Sequence, residues 1–337
     1  MKLFKIIFLA VLCAGCESNS ITKYSSFNII IAPTVDAERI LASTKDLDSQ
    51  LKQIILDKGI SIENINIEIA HNYNAAAESL ESGSSLIGFM PPMTYIQYAD
   101  GNLEPIIEGL RYAQNVNSVI PLEWNLNTPN YYDKTNLNGF FYTHIILGPS
   151  QYGKQLQSSY TENLFLTWNE MKQATWCFGA NVTSGATYVY PNIWISDNYQ
   201  KTVNDLSNVI PLSNSTEIAV NLASEVCDIA PLSSFSRIEY QDKWITDWNR
   251  DDTIWEETMV VGVSKPIANG IFVISKNADQ YSNTFKKVLI DSLIELSEMD
   301  PTFFNAINLA GIKEIEPNYL VSTIEAFNYM QRIEVTH

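Results

Sequence analysis

Short apolar runs alternate with amphipathic stretches along nearly the whole 337-residue chain, and that alternation predicts a layered α/β architecture. Phe27 to Ala32 is a β-branched run that stops at Pro33, after which Thr34 and Asp36 can cap a helical stretch. Leu47 to Lys58 has apolar residues at Leu47, Leu51, Ile54 and Ile55, one face of a helix, and Gly59 tolerates the left-handed turn that ends it. Ile65 to Ala70 alternates as a strand, and Tyr73 to Ser82 is an Ala-rich helix closed by Gly83. Leu86 to Met90 reads as a third strand, ended by Pro91-Pro92, with a helix over Met93 to Ala99. The cycle restarts with the apolar run Phe140 to Leu147.

The second cycle repeats the logic. A capping box, Thr167 to Glu170, opens a helix, and Ala174 to Phe178 is a strand. Thr183-Ser184-Gly185 precedes a helix rich in Tyr and Trp, and Asn214-Ser215-Thr216-Glu217 caps a helix over Ile218 to Ser224. Val226 to Pro231 is a strand, followed by Ser233-Ser234-Phe235-Ser236. Met259 to Val263 and Ile271 to Ser275 are strands around a Pro266–Gly270 turn, and helices at Thr284–Glu298, Pro301–Leu309 and Val321–Arg332 close the chain. Two successive α/β units with late helices imply two lobes joined by chain crossings, and the length supports a core in each.

The N-terminus changes where such a protein is expected to work. Met1-Lys2-Leu3-Phe4-Lys5 is positive, Ile6 to Leu12 is apolar, and Cys13-Ala14-Gly15 places small residues before Cys16. The apolar run is far shorter than the ~20 residues a membrane-spanning helix needs, so it reads as a removable signal. The small pair before Cys16 resembles the bacterial lipoprotein box, which implies diacylation (palmitate-type chains) of Cys16; Cys13 departs from the branched residue usual at that place. An ordinary secretory signal with an incidental Cys is the other reading. Either places the protein outside the cytoplasm; with two acyl chains it stays attached to the cell membrane. Glu17 to Ser26 is polar and reads as a flexible tether.

Composition narrows the partners. The chain carries 21 Lys+Arg against 38 Asp+Glu, a net charge of −17, which disfavours nucleic acid and anionic lipid surfaces. It leaves room for a small anion held by local donors. Of the cysteines, Cys177 and Cys227 lie outside the signal region. An oxidising location permits their pairing, and two buried free thiols in adjacent strands are the favoured expectation.

In open α/β sheets, ligands bind beyond the carboxyl ends of strands, at helix N-termini. The candidate junctions are therefore Thr34, Thr94-Tyr95, Thr183-Ser184-Gly185, Ser215 and Ser233-Ser234. Most are hydroxyl-rich and lack Lys or Arg, which suits a small oxyanion bound by neutral donors.

Several segments in order carry a resemblance. They are His71 to Glu78 followed by Ser82-Gly83; Gly88-Phe89-Met90-Pro91-Pro92-Met93-Thr94-Tyr95; Tyr152-Gly153-Lys154 with Leu166 to Glu170; Thr183 to Pro191; and Ser224 to Asp228. Together they resemble the phosphate/phosphite/phosphonate class of ABC-transporter substrate-binding proteins in their bacterial lipoprotein form. The resemblance implies a two-lobe periplasmic-binding-protein clamp, each lobe a mainly parallel sheet flanked by helices, that presents its ligand to an ABC permease. It also implies that Tyr95 walls the cleft, that Thr183 and Ser184 donate to phosphoryl-type oxygens, and that Thr34 and Tyr73 are further contacts. Gly185 and Thr187 shift the family's Ser-and-Gly order. Ser215 and Phe235 stand where phosphonate binders often have a His and an acid, which favours phosphate, phosphite or a phosphorylated metabolite over an aminoalkyl phosphonate.

The expected layout is a signal at 1–15, a tether at 16–26, lobe 1 at 27–140 plus about 300–337, and lobe 2 at 145–260. Crossings fall near 142–147 and 259–263. The protein is expected to be monomeric and to use no cofactor. Only His71, His144 and His337 are histidines, no zinc-type spacing occurs, and Gly148-Pro149-Ser150-Gln151-Tyr152-Gly153 misses a nucleophile elbow by one residue. An enzyme is therefore not expected. Asp228 reads as structural, and Trp168, Trp176 and Trp194 as packing between helix and sheet. The alternative function is a surface interaction protein on the same fold that has lost its transport ligand.

Overall fold

In a computed structural model the chain is described over residues 21–99, 101–126 and 128–335. The signal and Cys16 lie outside the described residues. Among these residues fourteen strands follow in chain order: β1 (Thr22–Ile31), β2 (Ile60–Ile69), β3 (Ile87–Met90), β4 (Leu103–Gln114), β5 (Tyr132–Asn138), β6 (Phe140–Phe141) and β7 (Thr143–Leu147), then β8 (Thr175–Gly179), β9 (Asn208–Leu212), β10 (Ile229–Ser233), β11 (Met259–Val263), β12 (Ile267–Ala268), β13 (Ile271–Ser275) and β14 (Gly311–Glu314). They form two lobe sheets, ordered β14-β4-β13-β3-β1-β2 with β5 on β4, and β11-β7-β10-β8-β9, plus the two-stranded pair β12-β6 between them.

Each sheet is parallel on one side and antiparallel on the other. β1 pairs parallel with β2 and β3, and β8 pairs parallel with β9 and β10. β13, β4 and β14, and likewise β7 and β11, run antiparallel to their neighbours. The parallel strands are those followed by short loops and helices, so their carboxyl ends line one gap, as expected for open α/β sheets.

Local chemistry explains the helices. Asp36, Asn72, Ser150, Thr167, Asn214, Thr253 and Ser282 each accept a first-turn backbone N–H through the side chain, and Thr167–Glu170 closes a full capping box. Gly59 and Gly83 take φ of +87° and +76° at helix ends, where a Cβ would be strained.

Several boundaries differ from the sequence expectation. β1 begins at Thr22 and pairs with β2 from Ile60 onward, so residues 22–26 belong to the sheet and not to a tether. Val226–Pro231 is displaced to β10, because Asp228 serves as a bracket before the strand. β11 and β13 do not form a hairpin; they lie in different lobes, and residues 264–270 cross between them. The other crossing is at residues 139–142, where β6 pairs antiparallel with β12. The expected crossings at 142–147 and 259–263 are thus lobe-2 strands immediately beside the true ones. Lobe 1 recovers the chain from β13, so Ile271–Ser275 and the helix Asn283–Met299 join it ahead of residue 300.

The crossing pair is tied down by side chains. The Asn269 amide donates to Gly109 O (3.0 Å) and Asn138 O (2.8 Å), and Tyr319 Oη donates to Gly139 O (2.7 Å). Cys177 and Cys227 are bonded, with Cα atoms 5.7 Å apart, which corrects the expectation of free thiols. Both sulfurs are enclosed in the lobe-2 core, where β8 and β10 run side by side.

Residues 115–125 form a strap that leaves β4 and packs on lobe 2. Trp124 is buried in a lobe-2 cluster, and the Asn125 side-chain amide pairs with β11 like a peptide unit, giving to Val260 O (2.7 Å) and taking from Val260 N (2.9 Å). Buried Arg237 donates to Trp124 O (2.9 Å), Trp255 O (3.2 Å) and Thr258 O (3.3 Å), and lies 4.4 Å from the Trp255 ring. Burial pulls its pKa down to about 9.

Candidate functional site

The carboxyl ends of β1 and β3 face those of β8 and β10 across the crossing strands. Pro91 and Pro92 stop β3 and start the helix Pro92–Tyr98, since Pro at the first helical turn forfeits no hydrogen bond. That geometry delivers Thr94 to the lobe boundary. Its hydroxyl lies 3.4 Å from Thr183 Oγ1 of lobe 2, and both residues are buried, at 0% and 5% exposure. The two lobes therefore meet through hydroxyls.

Thr183 sits in a loop shaped by Asn181, whose side-chain oxygen accepts from Thr183 N–H (2.9 Å) and Thr183 Oγ1 (2.8 Å). Ser184 Oγ pairs with Thr187 Oγ1 at 2.7 Å. The Ser184 carbonyl accepts from both Tyr188 N–H (3.1 Å) and Val189 N–H (2.9 Å), a widened π turn over Gly185–Val189 before the helix Tyr190–Tyr199. Such turns recur at functional sites, and the N–H groups ahead of the first closed ring have no partner within the helix. A Cβ on Gly185 would stand 3.4 Å from the Ile267 side chain of β12, so this turn is packed against the crossing strands.

The other expected residues fall in different places. Thr34 follows β1, and its buried hydroxyl oxygen has no hydrogen-bond partner. Tyr73 opens the helix Tyr73–Glu81 behind Asn72 and packs on the lobe-1 cluster with Ala75, Leu80 and Met90. Burial pushes its hydroxyl up to about 12, which keeps it a donor at neutral pH. Tyr95 packs in that same lobe-1 cluster, where burial and then the nearby Glu104 carboxylate raise its pKa. Thr94, one residue earlier, is the one that reaches across. Ser215 begins the helix Ser215–Ala223 at the far β9 edge, half-buried, with Asn214 as the cap. Ser234 is committed to the crossing: its N–H donates to Tyr142 O (2.8 Å) and its hydroxyl accepts from Tyr142 N–H (3.4 Å).

Sequence reading passed over Asn269 and Tyr319, which hold the crossing. Neither lies in a periodic run or a motif, and only the pairing of distant strands gives them a role.

The catalytic alternatives are spent on structure. Ser150 Oγ donates to Asp228 Oδ1 (2.5 Å) while capping a helix, and Asp228 Oδ2 also accepts from Thr175 N–H (2.7 Å). His144 is buried with neither ring nitrogen hydrogen-bonded, 4.2 Å from the Trp124 ring centroid. Trp168, Trp176 and Trp194 pack in the lobe-2 core.

A two-lobe α/β clamp with crossing strands between sheets and hydroxyls meeting at the boundary defines the periplasmic-binding-protein fold, whose members include transport receptors. The chain belongs to the family of ABC transporter, phosphonate, periplasmic substrate-binding proteins, which it matches over residues 29–320. No curated protein sequence matches it significantly. Among solved structures it is similar to Mh-p37 of Mycoplasma hyorhinis, suggested to be a thiamine pyrophosphate transporter, at TM-score 0.68 and 11% identity, covering 91% of this chain and 99% of that one. It is also similar to a binding component of an ABC phosphonate transporter from Pseudomonas aeruginosa, at TM-score 0.63 and 11% identity, covering 93% and 88%. A third is PhnD1 of Prochlorococcus marinus in complex with methylphosphonate, at 0.62 and 9%, covering 91% and 98%. At these identities the likeness is one of fold. No helix among the described residues is long and apolar enough to cross a membrane.

Proposed function

We propose that this protein is a monomeric, lipid-anchored receptor, attached through Cys16, that captures a phosphorus oxyanion or a small phosphorylated metabolite and delivers it to an ABC permease. The observation that carries this reading is the meeting of Thr94 and Thr183 from opposite lobes beside the start of the turn over Gly185–Val189. The buried, unpartnered hydroxyl of Thr34 at the end of β1 adds a lobe-1 donor. Hydrogen bonds to a charged group contribute about 1.5–3 kcal/mol each, so four to six of them, together with aromatic walls, are of the size needed to offset ordering losses and leave the roughly 8 kcal/mol of micromolar binding. Such a ligand contacts both lobes and biases the closed arrangement.

Calorimetry against phosphate, phosphite, methylphosphonate and thiamine phosphates tests the reading. One member of the panel should bind, and Thr183→Ala with Ser184→Ala should weaken it by about tenfold to a hundredfold, the equivalent of one charged hydrogen bond. Binding unaffected by the double substitution removes Thr183 and Ser184 from the site. A second reading, an interaction protein without a transport ligand, is favoured by the hydroxyls already bonded inside their own loop, Thr183 to Asn181 and Ser184 to Thr187. No binding across the panel would select it.

A further inference from the structure

Arg111 occupies an unusual place for a cation in an acidic protein. It lies in β4 opposite Asn138 of β5, at the level of the crossing strands. Its guanidinium carbon is 5.3 Å from the ring centroid of Phe141, in the crossing, and 5.0 Å from that of Phe235, in lobe 2. A lobe-1 charge is thus held by side chains from lobe 2 and from the segment that joins the lobes. The rings attract it but offer no acceptor, and a guanidinium carries five N–H donors. Its Nε is buried without a hydrogen-bond partner. Burial lowers its pKa, with the field of Glu239 working the other way.

Beside Arg111 is a cavity of about 120 Å³, lined also by Tyr132, Phe235, Glu239, Asn305 and Asn308. That space takes several waters or one small oxyanion. Tyr132 stacks on Phe235 at 5.8 Å and 29°, and burial keeps its hydroxyl protonated by raising its pKa. The polar side chains of the lining are therefore a guanidinium, two tyrosines (Tyr112 and Tyr132) and two amides against one carboxylate, Glu239, which is exposed at the rim. A planar guanidinium fork fits phosphate, sulfate and carboxylate in a bidentate manner.

We propose that this cavity is an oxyanion site in which Arg111 is the recognising group, Tyr132, Asn305 and Asn308 are supporting donors, and Glu239 sets the affinity by opposing the bound charge. It stands on residues separate from the Thr94–Thr183 meeting point. The anion is either a free oxyanion or the acidic end of a longer ligand held between the lobes.

The test uses calorimetry with inorganic phosphate on the Thr183→Ala, Ser184→Ala protein, which isolates the cavity. Phosphate should still bind there; adding Arg111→Met should weaken it at least tenfold, and adding Glu239→Gln should strengthen it about threefold to tenfold. Arg111→Lys, which keeps the charge without the fork, should lose affinity while holding the melting temperature, separating recognition from folding. Phosphate failing to bind the isolated cavity, or binding equally with Met or Lys at 111, overturns the site. Comparison of phosphonoacetate with methylphosphonate on the otherwise unaltered protein identifies the source. A tenfold advantage that disappears in Arg111→Met means the acidic end of a longer ligand; equal affinities, with Arg111-dependent phosphate binding, mean a free oxyanion. Loss of methylphosphonate binding in the Thr183→Ala, Ser184→Ala protein reports on the hydroxyl site alone, so the two proposals fail separately.

Discussion

His144 and the Thr94–Thr183 pair show opposite fates for polar side chains in this protein. Thr94 and Thr183 are buried yet face each other, whereas both nitrogens of His144 are buried with nothing to bond. Burial, with the nearby Arg237 charge, holds the His144 pKa well below its ordinary value. The unfolded histidine titrates near pH 6.5, so below that pH the unfolded chain takes up a proton that the folded one refuses. Stability should fall as pH drops below about 6.5, with at most about 2 kcal/mol lost from this residue at pH 5. Denaturant titrations of His144→Leu at pH 5 and pH 7.5 should show that much less pH dependence than the unaltered protein. An identical pH slope would mean that His144 is protonated in the fold. At this scale the hydroxyl loop at Thr183–Gly185 was legible from its residue types, because helix starts select Ser and Thr. Thr94 and Tyr95 could not be told apart, since one residue along a helix turns a side chain by about 100°, away from one surface and onto another.

Elements were legible wherever the chain itself closes them. Thr167–Glu170 announces its helix by reciprocal hydrogen bonding within four residues, and the helix over 47–57 announces itself by apolar spacing. β4 and β5 give no such signal. Glu104, Pro105, Glu108, Arg111 and Gln114 interrupt β4, which persists because β13 and β14 flank it. The Cys177–Cys227 bond was likewise illegible, since proximity across 50 residues depends on β8 and β10 being neighbours. In the chain-entropy account a loop of that length contributes about 4 kcal/mol. Cys177→Ala, Cys227→Ala should lower stability by roughly 2–4 kcal/mol in chemical denaturation, with ligand affinity little changed, because the sulfurs are enclosed in the lobe-2 core and not at the boundary. Unaltered stability would show that the bond relieves as much constraint in the fold as it adds to the unfolded chain.

On the scale of the molecule, two clamped lobes were foreseeable from two rounds of strand and helix, but the path between them was not. The crossings are only a few residues long, and their apolar character continues into the lobe-2 strands, which hides the boundary. Closure is also sealed by apolar groups from every body: Met93 of lobe 1, Val189, Tyr190 and Ile193 of lobe 2, Ile267 of the crossing, and Ala326 and Met330 of the final helix. Met330→Ala should remove about 2 kcal/mol or more of that packing. If the seal belongs to the closed state, ligand affinity falls by about tenfold or more, and small-angle scattering of the ligand-free protein shows a larger radius of gyration. Unchanged dimensions and affinity would place Met330 in lobe packing alone.

The strap at 115–125 leaves lobe 1 at the end of β4 and is seated on lobe 2 at its far end, through Trp124 and Asn125. It is thus a third link between the lobes, beside the crossings at 139–142 and 264–270, and any relative motion of the two must pass through it as well. An environment-sensitive fluorophore attached at exposed Val119 or Leu122 would convert opening and closing into an optical signal, leaving Thr94 and the Thr183–Gly185 loop untouched.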